Sequence, residues 1–375
     1  MKTTAFAVVL LLATVPAFAQ YGIGDIASKA GKISDLNMSE QEERELGERV
    51  SATVRSEFGV LQDAAVTKYV SLVGNVLAKA SSRPGLRWEF IVLDTDGVNA
   101  FAAPGGLVHI TKGALGLIKS EAELAGVLGH EIAHITKKHT VNAIRNNKAI
   151  KLTTEEASGK GSGYITKLTN AAYDNIVERG FDRGDEAEAD KEGLRLANKA
   201  GYNPAALGSF LGKLMARNKG LNGAKPNGLF ATHPQTQERV DEQNKQIKSE
   251  KLAGAAMGQT RYAANVKYDA KPPSAIALTK SEAKGVAGAE SAAKKPEAKP
   301  PAKKEEKKRG GMFGGLGSAL SGGKQKESTQ ASASAGGRAL DPNRPDRYAA
   351  GGGNPNKIAV TVTAAELETF RKGIA

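Results

Sequence analysis

Gly129-His130-Glu131-Ile132-Ala133-His134 is an H-E-x-x-H stretch, and it lies in a run, residues 121–146, whose apolar spacing predicts one long helix. Positions four apart stack on one face of a helix, so His130 and His134 can offer two imidazole nitrogens to a single ion. Glu131 sits one step round from His130. It can reach a water on that ion without taking a ligand position, which is the place of a hydrolytic general base. Two ligands and a base are the beginning of a catalytic zinc site, and a third ligand must come from another part of the chain.

The acids of residues 184–190, Gly184-Asp185-Glu186-Ala187-Glu188-Ala189-Asp190, open a second predicted helix that Gly201 and Pro204 stop near residue 200. Helical geometry sorts them. Glu186, Asp190, Gly193, Leu194 and Ala197 share one face, and Glu188, Glu192, Arg195 and Lys199 the other. Carboxylates on an apolar face are costly unless a cation or strong donors meet them. Glu186 is therefore the expected third ligand, leaving one position open for water. Asp190, one turn on, is placed to accept the outer N–H of a ligating imidazole and fix its tautomer. The longer metzincin pattern needs Gly and His where Lys137 and Thr140 stand, and is excluded. His139 lies beyond the i+4 repeat and reads as a residue that caps or packs the helix end; His109, in a strand, reads as structural.

Around these helices the chain reads in order. Ser39-Glu40-Gln41-Glu42 is a capping box that opens a helix to about residue 58, and residues 66–80 carry helical spacing. Residues 88–93 are strand formers, and residues 99–103 and 107–110 read as a hairpin with a Gly turn. An exposed strand here would pair with an extended peptide through Asn99, Ala100, Leu107, Val108 and His109. An ordinary sheet strand is the equal alternative. Residues 111–120 read as a short helix and turn, and the Gly-rich run 158–163 as a surface loop, with a mobile lid as the lesser alternative. The expected fold class is α+β, predominantly helical, with a small sheet beside the H-E-x-x-H helix and one sizeable core.

Composition bounds the rest. The chain has 375 residues, no Cys and a net charge of +13. Absence of Cys removes disulfides, thiol catalysis and thiolate ligands. Met1-Lys2, an apolar run over 5–15 and Ala17-Phe18-Ala19 are the three regions of a secretory signal peptide, residues 1–19, cleaved after Ala19, with no Cys beside the cut to carry a lipid. That predicts an exported protein, soluble once the peptide is removed, since no other stretch approaches the eighteen or so apolar residues a spanning helix needs. Between 271 and 347 lie sixteen Lys and Arg against eight Asp and Glu, so the positive charge is concentrated in a tail and gives no nucleic-acid signal for the folded part. We expect residues 20–270 to form the folded domain. Residues 271–353, rich in Ala, Lys, Pro and Gly, are expected to form a disordered basic linker with peripheral envelope contact as one use, and 354–375 a short strand and helix. Oligomeric state is not specified.

With these motifs in place the chain resembles the HtpX and CAAX-prenyl-protease type of zinc metallopeptidase, nearest its soluble periplasmic branch, which implies the periplasm as its location. The resemblance covers about residues 39–248. It rests on four ordered motifs: Asn99-Ala100-Phe101-Ala102, H-E-x-x-H at 130–134, E-x-x-A-D at 186–190, and Thr232-His233-Pro234 followed by Arg239. It implies one Zn2+ per chain on His130, His134 and Glu186, with Glu131 as base and an edge strand receiving the substrate backbone. It also implies that His233 stabilises an oxyanion or, as a fourth ligand, keeps a latent enzyme closed, while Arg239 holds that loop to the core. The membrane helices of other members are missing, so prenylated-peptide processing is not carried over. The expected activity is endopeptidase cleavage of unfolded or misassembled outer-membrane or periplasmic proteins; a zinc-stabilised chaperone or scaffold that binds extended chains without cutting them is the rival.

Overall fold

Ser39 begins the first helix as its sequence requires. Its hydroxyl accepts from the Glu42 N–H, and the Glu42 carboxylate accepts from the Ser39 N–H at 2.7 Å. In the computed structural model, which describes residues 38–146, 162–219, 228–233, 237–279, 341 and 343–374, this helix is α1, Glu40–Phe58. It is followed by α2, Ala64–Ala80, capped by Asp63. The signal-peptide reading, residues 158–161 and most of the basic linker fall outside the described residues.

Three strands follow: β1 Glu89–Leu93, β2 Ala100–Ala103 and β3 Leu107–Thr111. Their order is β1-β3-β2, with β1 parallel to β3 (Ile91 opposite His109) and β2 antiparallel to it (Phe101 opposite His109). Every residue of β2 and β3 is buried. This corrects part of the substrate-strand expectation. Leu107, Val108 and His109 lie on the central strand, whose main chain is already paired on both sides, so an incoming peptide cannot add there.

Thr111 caps α3, Lys112–Leu117, and Ser120 caps α4, Glu121–Thr136, all sixteen residues of which are buried. The single long helix expected over 121–146 is two. Lys138 takes φ +59, and α5, His139–Asn146, leaves in a new direction. After α6, Ser162–Tyr173, a π-helical turn, Asp174–Arg179, ends at Gly180. Helix α7, Arg183–Lys199, then crosses α4 at two facing glycines. A Cβ on Gly193 would lie 2.9 Å from the His130 nitrogen, so glycine there lets the helices close enough for Glu186 to meet the histidines. Then come α8 Ala206–Lys219, the short α9 Leu229–Thr232, α10 Gln237–Ser249 and α11 Gln259–Asn265.

One apolar cluster joins α2, the sheet, α4 and α8 through Val70, Val92, Leu128 and Phe210; a second joins α1 to α6 through Val54, Phe101 and Leu168. The C-terminal residues wrap this body. Residues 271–279 and 343–353 pair with each other, as in the bridge between Leu278 and Ala349. Asp346 makes a buried ion pair with Arg217 of α8 at 2.8 Å. Helix α12, Ala364–Lys372, packs Phe370 on Tyr69. The alternating residues 358–363, expected to form a strand, form none. No helix among the described residues is long and apolar enough to cross a membrane.

Candidate active site

Helix α4 delivers three groups to one place. His130 and His134, one turn apart, bring their Nε2 atoms to 3.0 Å, and Glu131 lies beside them. From α7, Glu186 puts its oxygens 3.6 Å from His130 Nε2 and 3.5 Å from His134 Nε2. From the end of α9, His233 puts Nδ1 2.7 Å from Glu186 and 3.2 Å from His130 Nε2. These four ligand atoms lie within 4.8 Å of one another and all four residues are buried. The His233 arm is held there by a close approach: a Cβ on Gly180 would sit 1.7 Å from the Thr232 carbonyl, and the Phe181 N–H donates to that carbonyl at 3.2 Å.

The outer atoms of the cluster are tied back. His130 Nδ1 lies 3.0 Å from Asp190. Arg239 of α10 donates to Asp190 through Nε and Nη2 and to Glu186 through Nη1, so it binds the helix after the His233 loop to both carboxylates. Phe181 stacks on the His134 ring at 4.0 Å. His139 is more than a helix-end residue. The break at Lys138 turns it back so that its Nδ1 lies 2.8 Å from His134 Nδ1 and its Nε2 3.2 Å from Glu188. Only the pair Lys137-Lys138, interrupting an apolar face, hints at this in the sequence.

Electrostatics separate the roles. Burial, then the charges of His130 and His233, hold the His134 pKa well below its usual value. Burial would also lower His233, but Glu186 and Glu131 outweigh it and the net shift is upward. For Glu186 burial works upward and is outweighed by His233, His130 and Arg239, so this carboxylate stays ionised below its usual range. Glu131 goes the other way. Burial dominates the pull of His233 and His130 and raises it, and neither of its oxygens has a hydrogen-bond partner.

The donor set fits a divalent cation. With Asp190 beside His130 Nδ1 and His139 beside His134 Nδ1, the two Nε2 atoms face inward and converge with the Glu186 carboxylate, the nitrogen and oxygen donor types that hold zinc. Beside it, a space of about 10 Å³ remains between Glu131 and apolar side chains, among them Val127, Phe210, Leu214 and Leu229. A cavity of about 520 Å³ between α7 and α10 touches Glu186 and Asp190 from outside but neither metal-facing imidazole nor Glu131, so a substrate would not meet the base there.

An H-E-x-x-H helix, a glutamate from a second helix and a small sheet alongside define the zincin class of metallopeptidase fold. Residues 64–247 match Peptidase family M48. Among curated relatives, the chain is 27% identical over 235 residues to the beta-barrel assembly-enhancing protease of Yersinia pestis, covering 60% of this chain and 47% of that protein. It is 33% identical over 176 residues to the mitochondrial metalloendopeptidase OMA1 of Schizosaccharomyces pombe, covering 46% and 51%. It is 29% identical over 199 residues to the metalloprotease YcaL of Escherichia coli, covering 48% and 76%. The chain thus spans about half the length of the first two.

Proposed function

We propose that the chain is a zinc-dependent endopeptidase of the bacterial periplasm that cleaves unfolded or misassembled envelope proteins. The observation that carries this is Glu131: a buried carboxylate with no hydrogen bond to either oxygen and a raised pKa, beside imidazole nitrogens converging with Glu186. His130, His134 and Glu186 would hold the zinc, with Asp190 and Arg239 fixing His130 and Glu186. A bound zinc ion supplies the positive charge that acidifies a water and polarises a scissile carbonyl. Glu131 takes the proton of the attacking water at one Oε and hands it to the leaving amine.

His233 occupies the position that a catalytic site keeps open, so this arrangement is the closed one. On leaving Glu186 it frees that position, and its N–H becomes available to the developing oxyanion. A substrate backbone that pairs with the sheet would do so at β2, the strand paired on one side only, and this requires the residues that bury β2 to move aside. Asn99 turns its main chain toward Thr111 of β3, so Ala100 and Ala102 turn theirs away from it. Main-chain pairing reads an extended conformation more than a sequence, which favours unfolded or misassembled chains. The relative named for β-barrel assembly makes outer-membrane proteins the first substrates to try. The basic residues between 271 and 347 offer a peripheral contact with anionic envelope surfaces.

The test is incubation of an unfolded outer-membrane protein and casein with zinc and the wild type, Glu131→Gln and His233→Ala forms. Cleavage by the wild type or His233→Ala, absent in Glu131→Gln, supports the reading. Binding by all three with cleavage by none overturns it in favour of a zinc-stabilised chaperone, the second reading that the filled fourth position supports.

A further inference from the structure

The break between α4 and α5 returns His139 to the ring it has just left. Its Nδ1 lies 2.8 Å from His134 Nδ1, and its side chain is 2% exposed. Two facing ring nitrogens hydrogen-bond only when one carries the proton and the other does not. If His134 presents Nε2 to a metal, its proton is on Nδ1, so His139 Nδ1 is the acceptor and the His139 proton is on Nε2. There it points at carboxylates, Glu188 at 3.2 Å and Asp185 at 3.6 Å. The hydrogen-bond network assigns both tautomers without a free choice.

The geometry points to His139 as a positioning residue for His134: a neutral imidazole that accepts the His134 Nδ1–H and so holds Nε2 toward the metal. This inference rests on the metal site proposed above. It separates the two histidine ligands by their support. His130 is backed directly by the carboxylate of Asp190, itself clamped by Arg239, whereas His134 is backed by a second imidazole that passes the contact on to Glu188, a residue whose side chain is half exposed. Groups that orient a ligand in this way typically change metal affinity by about 10- to 100-fold when removed.

Metal affinity measured without substrate decides it. The full chain is stripped of metal and titrated with zinc against a chromophoric chelator; cobalt(II) absorption reports ligand geometry in parallel. His139→Phe keeps a ring against Phe181 but no acceptor, and is expected to bind zinc about 10- to 100-fold more weakly with an altered cobalt spectrum. His139→Asn places an amide oxygen near the lost Nδ1 and is expected to stay within about threefold of wild type. The surface pair Asp185→Ala, Glu188→Ala leaves the core intact and is expected to weaken binding by about three- to tenfold. His139→Phe binding within about twofold of wild type, or His139→Asn binding as weakly as His139→Phe, overturns the proposal. Should His139→Phe fail to fold, unchanged affinity in the Asp185/Glu188 variant overturns it alone. A wild type that binds no metal removes this inference and the peptidase reading together; one that binds metal in this pattern but cleaves nothing removes only the peptidase reading.

Discussion

Helix α4 buries Glu121 in its first turn and Glu131 in its second half, and the two are treated in opposite ways. Glu121, fully buried in the first turn, accepts from Tyr69 at 2.7 Å, Tyr202 at 2.6 Å and the Arg261 Nε at 2.6 Å. Burial and the Glu121 charge push both tyrosine hydroxyls above their usual range. Glu131, 1% exposed, has a hydrogen-bond partner for neither oxygen and only His233 Nε2 nearby, at 3.7 Å. Both carboxylates are desolvated, but at Glu121 hydrogen-bond donors return the cost, whereas Glu131 has only the more distant charges of His233 and His130. Burial of a carboxylate is therefore no mark of function by itself. Unmet hydrogen-bonding capacity beside residues able to hold a metal is a sharper mark, and Glu131 has both.

Exchanging each glutamate for its amide tests that contrast directly. Glu131→Gln removes the proton acceptor and leaves the ligands in place, so cleavage of an unfolded protein falls by about 10²- to 10⁴-fold. Its melting temperature does not fall, since the variant removes a buried carboxylate that no donor satisfies. Equal loss of activity and melting temperature would make Glu131 a structural residue like Glu121. Glu121→Gln has the converse outcome. It leaves Arg261 without its carboxylate partner and costs about 3 kcal/mol in denaturant unfolding, with cleavage per folded molecule unchanged. An unaltered midpoint would show that the cluster at the head of α4 holds nothing together.

How much of this the sequence carries depends on range. The Ser39 capping box, the pairing of His130 with His134 and the face shared by Glu186 and Asp190 are consequences of helical period within a few residues, and all are readable in advance. The break before His139 is not, because Lys138 is drawn to positive φ in company with an ion pair to Glu43 of α1. Strand order is a tertiary outcome, so a hairpin could be read from residues 99–110 but not which strand would be central. His233 lies 103 residues from His130 in a short helix with no period of its own, and only the resemblance to a family singled it out.

His109 extends the contrast to a group buried in its neutral form. It is completely buried on β3, 2.9 Å from the Ser51 hydroxyl, and burial, with Arg55 and Lys357 nearby, lowers its pKa from 6.5 to about 3. In the unfolded chain His109 takes a proton near 6.5, and in the fold only near 3. Between those values the unfolded state holds more protons, so stability falls as pH is lowered through the window. The loss between about pH 8 and pH 4 is about 3 kcal/mol. His109→Asn should flatten this part of the pH profile of unfolding free energy; an unchanged slope would assign it to other groups.

The smallest effect belongs to a single donor of the satisfied glutamate. Tyr202→Phe removes one hydroxyl from Glu121 and leaves Tyr69 and Arg261 in place, with the ring still packed in the core. Hydrogen bonds to a charged acceptor contribute about 1.5–3 kcal/mol, and the low end applies where other donors remain, so a loss of about 1–2 kcal/mol is expected in denaturant unfolding. The double variant Tyr202→Phe, Glu121→Gln should then cost less than the sum of its parts, because the hydroxyl loses its charged partner once the glutamate is gone. A strictly additive pair would mean that Tyr202 contributes through packing, and that Glu121 is satisfied by Arg261 and Tyr69 without it.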